Sequence, residues 1–161
     1  VVVVMHRREA ITSTNTGRLA ARVLEGARVR VRGAVDAEHE PPLPPGRRLA
    51  LFPREGARVL GPEDAEDGLV LFVPDGTWGQ ARRLVTRDAD VRLAEAVALP
   101  PVAPTRYALR RNRREGTVST LEAIAAALGV LEGPEVEAAL ADVLDLFVAR
   151  SLRARSGDFA R

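Results

Sequence analysis

The sequence contains no cysteine, which excludes disulfides and thiolate metal sites within the chain. It contains no lysine either, so all 24 basic residues are arginine. The two histidines, His6 and His39, are too few to build a histidine-rich metal centre alone, and no metal is expected in this chain. Aromatic residues make up only 4%, with one Trp and one Tyr. No apolar run approaches the roughly 18 to 20 residues of a membrane span. The opening VVVVM is too short for a signal peptide and has no basic flank. No membrane association is expected, and the cytoplasm is the default compartment.

What is present is 161 residues, 46% apolar and 29% charged. That mix suits one globular domain with one sizeable core and excludes a disordered chain. The formal net charge is only +2, and its distribution says more than its total. Residues 106–115 (RYALRRNRRE) hold five Arg and one acid, and residues 1–58 hold eleven Arg and six acids. Acidic stretches lie at 63–67 (EDAED) and from Glu132 to Asp145. Arginine clusters separated from acidic ones suit a phosphate-rich partner such as RNA. Arginine standing in for lysine on solvated faces would give similar counts.

Hydrophobic periodicity predicts alternating strands and helices. VVVVM (1–5) and RLALF (48–52) read as short strands, and GLVLFV (68–73) as a central strand buried on both faces. ARVRVRG (27–33) alternates apolar residues with Arg, which predicts a strand with one wet face near an edge. Helices are expected after Thr14-Asn15-Thr16, after Asp75-Gly76-Thr77, over 119–131 and from Pro134 onward. The last has a stripe at Val136, Leu140, Val143 and Phe147. Residues 97–105 read as a proline-rich linker, and 106–110 as a short strand. The fold class is therefore α/β, a single domain with a mostly parallel sheet flanked by helices. The domain spans 1–150, with an Arg-bearing tail at 151–161.

Three clusters sit where a strand or loop turns into a helix, the place where open α/β sheets bind ligands. They are Thr14-Asn15-Thr16-Gly17-Arg18-Leu19, Asp75-Gly76-Thr77-Trp78, and the run from Arg113 through Ser119-Thr120-Leu121-Glu122. Each also has a purely structural explanation. Thr77 with Gln80 and Ser119 with Glu122 have capping-box spacing. Asp75-Gly76 is a common turn pair, and Trp78 lies on an apolar helical stripe with Ala81 and Val85.

Taken together, TNTGRL, DGTW and YALR…REGTVSTLEAIA resemble the DTW-domain proteins. That family is named for an Asp-x-Thr-Trp signature, here Asp75 to Trp78. HRRE at His6–Glu9 and LALFPREGA at 49–57 extend the resemblance, which covers residues 1 to about 150. The family includes tRNA-uridine aminocarboxypropyltransferases. These use S-adenosylmethionine as co-substrate and move its 3-amino-3-carboxypropyl arm to N3 of a uridine in tRNA. The resemblance implies a SPOUT-like fold, and a ribosomal-RNA-modifying relative adds the prospect of a trefoil knot. It also implies a tRNA partner and a homodimer, since SPOUT relatives often pair.

Residue types carry that chemistry over to this chain. Asp75 is the candidate catalytic group, an anion placed to accept the N3 proton or hold the base. Thr14, Asn15, Thr16, Gly17, Thr77, Ser119 and Thr120 offer hydroxyls, amides or helix N-termini to the co-substrate's carboxylate. Trp78 would wall the pocket or face the sulfonium. By likeness to a SPOUT-like cofactor pocket, the backbone around Leu51, Phe52, Pro53 and Leu99 would hold adenine. Arg106, Arg110, Arg111, Arg113 and Arg114 would contact tRNA phosphates, with Arg7, Arg8 and Arg18 widening that surface. Capping remains an equal explanation for Ser119, Thr120 and Glu122. One departure stands out: the Cys-rich, zinc-ribbon-like segment that precedes the domain in many members has no counterpart from Val1 on. The alternatives are a SPOUT-like RNA methyltransferase, separable by product mass, and a non-catalytic RNA-binding module, which would not need Asp75.

Overall fold

The computed structural model describes residues 1–33, 42–101, 105–107, 109 and 118–156. Among the described residues six strands form one sheet: β1 (Val2–His6), β2 (Arg28–Arg32), β3 (Arg48–Leu51), β4 (Arg58–Val59), β5 (Val70–Asp75) and β6 (Glu95–Ala98). Their order is β2-β1-β5-β3-β6-β4, and every neighbouring pair is parallel. All carboxyl ends therefore lie along one edge. The described residues also form six α-helices: α1 (Arg7–Ala10), α2 (Thr16–Val23), α3 (Trp78–Arg87), α4 (Ala89–Leu93), α5 (Thr120–Leu131) and α6 (Pro134–Ser156).

Side chains alternate across a strand, so each apolar strand feeds two cores. Val3, Met5, Leu49, Leu51, Leu71, Val73 and Val97 pack on one face with Ala20 of α2, the apolar side of α5, and Leu140 and Leu144 of α6. Val2, Val4, Ala50, Phe52, Val70 and Phe72 pack on the other with Ala81, Leu84 and Val85 of α3 and Val91 of α4. Burial on both faces is why β1 and β5 read as unbroken apolar runs. It places β5 third of six strands, as its sequence predicts.

Several expectations change. β6 occupies Glu95–Ala98, inside and just before the stretch read as a linker, and the two-residue β4 was not foreseen. Both are too short to show a period, and they exist because β3 and then β6 offer a free ladder. Residues 105–107 and 109 form no strand, and the rest of the proposed strand at 106–110 lies outside the described residues. The buried stripe of α6 is centred on Leu140 and Leu144, with Val136, Val143 and Val148 beside it. That helix continues through Ser156, so residues 151–156 are its last turns, and 157–161 lie outside the described residues.

The arginine face of β2 is also covered over part of its length: Arg28 is exposed, Arg32 is half-buried and Arg30 is buried. Arg30 is buried, its guanidinium 5.8 Å from the centre of the Phe72 ring. It donates to Asp90 at 2.8 Å, and Arg32 donates to Asp88 at 2.6 Å. Asp88 also accepts from the Val91 N–H at 3.1 Å as the N-cap of α4. On the other face Val29 is exposed and Val31 half-buried. Charge pairing with α4 decides which face is covered, and the alternation in the sequence cannot show that.

Pro74 helps open the site. Pairing of β5 with β3 ends at Phe72, while pairing with β1 continues to Asp75. A proline has no N–H to extend a ladder. The carboxyl ends of β5 and β3 part there, leaving a cleft.

Candidate active site

Asp75 is the last residue of β5 and is buried, with 5% of its surface exposed. Its Oδ2 accepts from the Asn15 side-chain amide at 2.7 Å, and its Oδ1 accepts from the Thr120 hydroxyl. Asn15 is the N-cap of α2, taking the Arg18 N–H at 2.7 Å on its own Oδ1. Thr120 opens α5, and the Leu121 N–H approaches the Thr16 hydroxyl at 3.5 Å. Two helix N-termini thus converge on one carboxylate, with neutral donors at both of its oxygens. Helix N-termini carry partial positive charge and favour an anion there.

Asp75, Thr14, Asn15, Thr16, Gly76, Thr77, Ser119 and Thr120 line a polar pocket of about 230 Å³. Leu51, Phe52, Pro53, Trp78, Leu99, Pro100 and Pro101 line a neighbouring cleft of about 460 Å³ that is largely apolar. Gly76, Ser119 and Thr120 belong to both walls, so the two spaces adjoin. Trp78 is 48% exposed. Its ring stands 5.4 Å from that of Phe52 at an interplanar angle of 58°. It walls the cleft and is not a core residue, which removes the structural explanation of its position on the stripe.

Gly17 lines neither space. It packs beneath Asp75, where a Cβ would stand 2.9 Å from Asp75 Oδ2 and 2.9 Å from Val3 Cγ1. Its role is to let α2 approach β1 and β5 closely. Both capping boxes are present: Thr77 with Gln80, and Ser119 with Glu122. Glu122 does more than cap. Its carboxylate accepts from the Ser119 N–H at 2.6 Å, the Thr105 hydroxyl at 2.7 Å and the Arg106 N–H at 2.6 Å. Burial pushes its pKa up, but these hydrogen bonds outweigh that and hold it below the usual glutamate value. Glu122 therefore anchors residues 105–107, and the Tyr107 hydroxyl donates to the Thr14 carbonyl at 2.7 Å, closing the rim of the polar pocket. Tyr107, Thr12 and Glu9 also line that pocket; none is among the site residues expected from sequence, although Glu9 closes the HRRE run. Tyr107 lies within the YALR motif, which is the signal that points to it.

The arginines divide. Arg7, Arg8 and Arg18 are exposed. Arg106 pairs with Asp145 of α6 at 3.2 Å and lines a depression between α5 and α6, away from Asp75. Arg110, Arg111, Arg113 and Arg114 lie outside the described residues. Among the described residues no group of three or more His, Asp or Glu is placed to hold a metal ion, and no helix is long and apolar enough to cross a membrane.

The family described as DTW domain matches residues 1–152. The chain belongs to the DTW-domain family. The signature Asp and Thr of this DTW domain are thus the pocket carboxylate and the α3 cap, and its Trp is the cleft wall. A curated relative is tRNA-uridine aminocarboxypropyltransferase 2 of Drosophila melanogaster, 34% identical over 94 residues. The match covers 57% of this chain and 38% of that protein. No solved structure matches the chain.

Proposed function

We propose that this DTW-domain protein transfers the 3-amino-3-carboxypropyl arm of S-adenosylmethionine to N3 of a uridine in tRNA. One observation carries the reading. An apolar, aromatic-walled cleft sized for a nucleoside meets a polar pocket at Gly76, Ser119 and Thr120, with a buried carboxylate in the polar half. The Drosophila relative's name states such an activity for that protein, and family membership supports it here.

In this reading Leu51, Phe52, Pro53 and Leu99 hold adenine, and Trp78 faces the sulfonium. Thr16, Thr77, Ser119 and the N–H groups at the starts of α2 and α5 hold the arm's carboxylate. Asp75 accepts the N3 proton of uracil as N3 forms its bond to the arm's terminal methylene. The carbon–sulfur bond breaks, its electron pair stays on sulfur, and methylthioadenosine leaves. The proton on Asp75 then returns to solvent. Asn15 and Thr120 aim the carboxylate by holding both of its oxygens. Which of the three carbons on sulfur reacts is set by where the arm lies relative to Asp75.

The test is incubation with S-adenosylmethionine and an unmodified tRNA transcript, with nucleoside mass spectrometry. The expected products are 3-(3-amino-3-carboxypropyl)uridine and methylthioadenosine. S-adenosylhomocysteine with a methylated nucleoside would replace this reading by a methyltransferase. Absence of any product across a tRNA panel, with no binding of S-adenosylmethionine, would leave a non-catalytic RNA module.

A further inference from the structure

A third depression lies on the opposite side of the polar pocket from the apolar cleft. It has a volume of about 620 Å³ and is lined by His6, Arg7, Arg8, Arg32, Arg83 and Arg87, with Gln80 and Asp88 also in its walls. The three spaces follow the strand order along the carboxyl edge of the sheet. The groove lies at the ends of β2 and β1, the polar pocket at the end of β5, and the apolar cleft at the ends of β3 and β6.

Most of the positive charge in this groove has no carboxylate partner among the described residues. Asp88 is already engaged by Arg32 at 2.6 Å and by Arg30 at 3.6 Å. No ion pair holds Arg7, Arg8, Arg83 or Arg87 among the described residues, and all four are exposed. Arg83 is held in place by donating to the Gly79 carbonyl at 3.1 Å. Arg30, Arg47, Arg48, Arg58 and Arg106 outside the groove each meet a carboxylate; other surface arginines do not, and what sets the groove apart is that four such arginines gather around one depression. Four guanidinia from two helices, with no ion pair among the described residues, surround one groove, and their self-repulsion is what an anionic partner would relieve.

The walls of the groove and of the polar pocket are linked through neighbouring residues. Arg7 and Arg8 of α1 line the groove, and the next residue, Glu9, lines the polar pocket. Gln80 lines the groove, and its side chain accepts the N–H of Thr77, a polar-pocket residue, at 2.7 Å. We propose that this groove binds the backbone phosphates of the RNA strand next to the target nucleotide, with Arg7, Arg8, Arg83 and Arg87 as the phosphate contacts. The inference rests on the RNA-modifying reading above and says where the strand enters. It makes α3 a shared element, with its first turn carrying Trp78 for the co-substrate and its exposed arginines carrying the RNA. A single small anion would need one or two guanidinia, whereas four spread along a groove match a polyanion.

The test is binding of a fluorescein-labelled tRNA transcript by anisotropy over a series of salt concentrations, on the full chain. Wild type is compared with the Arg83→Gln/Arg87→Gln pair, the charge-keeping Arg83→Lys/Arg87→Lys pair, and Arg153→Gln/Arg155→Gln at the end of α6. The Gln pair at 83 and 87 is expected to weaken binding and to flatten the plot of log K against log salt by about 2, one per contact. The Lys pair should keep most of the slope, and the α6 pair should match wild type. Calorimetry with S-adenosylmethionine alone should give the same affinity for all four proteins, which shows that the fold is intact. Wild-type affinity and slope for the Gln pair at 83 and 87 would overturn the groove. If wild type transfers no arm yet the Gln pair loses RNA, the groove stands and the reaction fails. If wild type transfers the arm and the Gln pair binds RNA as well as wild type, the reaction stands and the groove fails.

His6 supplies an independent readout. Burial, and then the positive charges of Arg8, Arg7 and Arg83, hold its pKa below the ordinary histidine value. Arg32, Arg87 and Asp88 are the other charged groups around the groove. Phosphates seated there would cancel the repulsion, so an NMR titration of His6 should show its pKa rising when a short single-stranded RNA is added. An unchanged His6 pKa at saturating RNA would overturn the proposal.

Discussion

The side chains of Asn15 and Asp75 are 60 positions apart in sequence and 2.7 Å apart in space. Asn15 works in two directions: its oxygen caps α2, and its amide aims the carboxylate. Asp75→Asn should therefore abolish arm transfer while leaving the melting temperature within a few degrees of wild type. An amide cannot take a proton, but it retains the shape of the carboxylate. Asn15→Ala should lose about 1 kcal/mol from the missing cap, together with much of the turnover. Fully active Asp75→Asn protein in the nucleoside assay would remove Asp75 from the proton-accepting role.

Gly17→Ala should be costly although Gly17 has an ordinary helical backbone. The new methyl would press on the Asp75 carboxylate and on Val3. Neither can retreat, because Val3 lies in the central sheet and Asp75 is held at both oxygens. A loss of about 1 to 3 kcal/mol is expected from such overpacking, with activity falling further as Asp75 shifts. Urea unfolding alongside turnover would separate the two effects, and a stable, fully active variant would contradict the close packing.

Trp78 is the protein's one tryptophan, so its fluorescence reports on the cleft directly. Adding S-adenosylmethionine should change the emission. Trp78→Ala should weaken binding by about 0.5 to 2 kcal/mol, the range for a cation over an aromatic face. The melting temperature should move little, because 48% of the residue is exposed. Emission that ignores the co-substrate would place adenine and sulfonium elsewhere.

Asp64 lies far from the site and governs acid stability. It is nearly fully buried, and Arg58 donates to it at 2.7 Å. The Arg58 hydrogen bonds, against the opposing effect of burial, lower its pKa from 3.8 to about 2. A carboxylate depressed in the folded state stabilises fully above its unfolded pKa and loses that contribution as pH falls through the folded value. Asp64→Asn should thus be less stable than wild type at pH 6, and the gap should close between pH 3.8 and about 2. Thermal melts of both proteins over that range check it, and a constant gap would mean the pair has no linkage to pH.

Strands β1 and β5 are legible in the sequence because burial on both faces leaves an unbroken apolar run. Both capping boxes are legible because they are local, with partners three residues apart. The Asp-Gly-Thr-Trp run is equally visible, and the resemblance it carries names the family. β4 and β6 are not visible, since two and four residues hold no period and their pairing partners lie far along the chain. Nor is the wet face of β2, because alternating Arg and Val reads the same whichever side is covered. Its answer depends on Asp88 and Asp90, nearly sixty residues away.

Local pattern and composition determine the class of this protein: a cysteine-free α/β domain with helix N-termini at the ends of apolar strands. Those properties depend on neighbours within a few residues, so one dimension is enough to state them. Only the tertiary structure decides that the capping Asn of α2 and the first Thr of α5 meet at Asp75, or that Trp78 faces a cleft and not the core. It also decides which arginines find carboxylates and which gather around a groove with no ion pair among the described residues. Strand order sets these outcomes, and it is settled by packing and hydrogen bonding between segments the sequence keeps far apart.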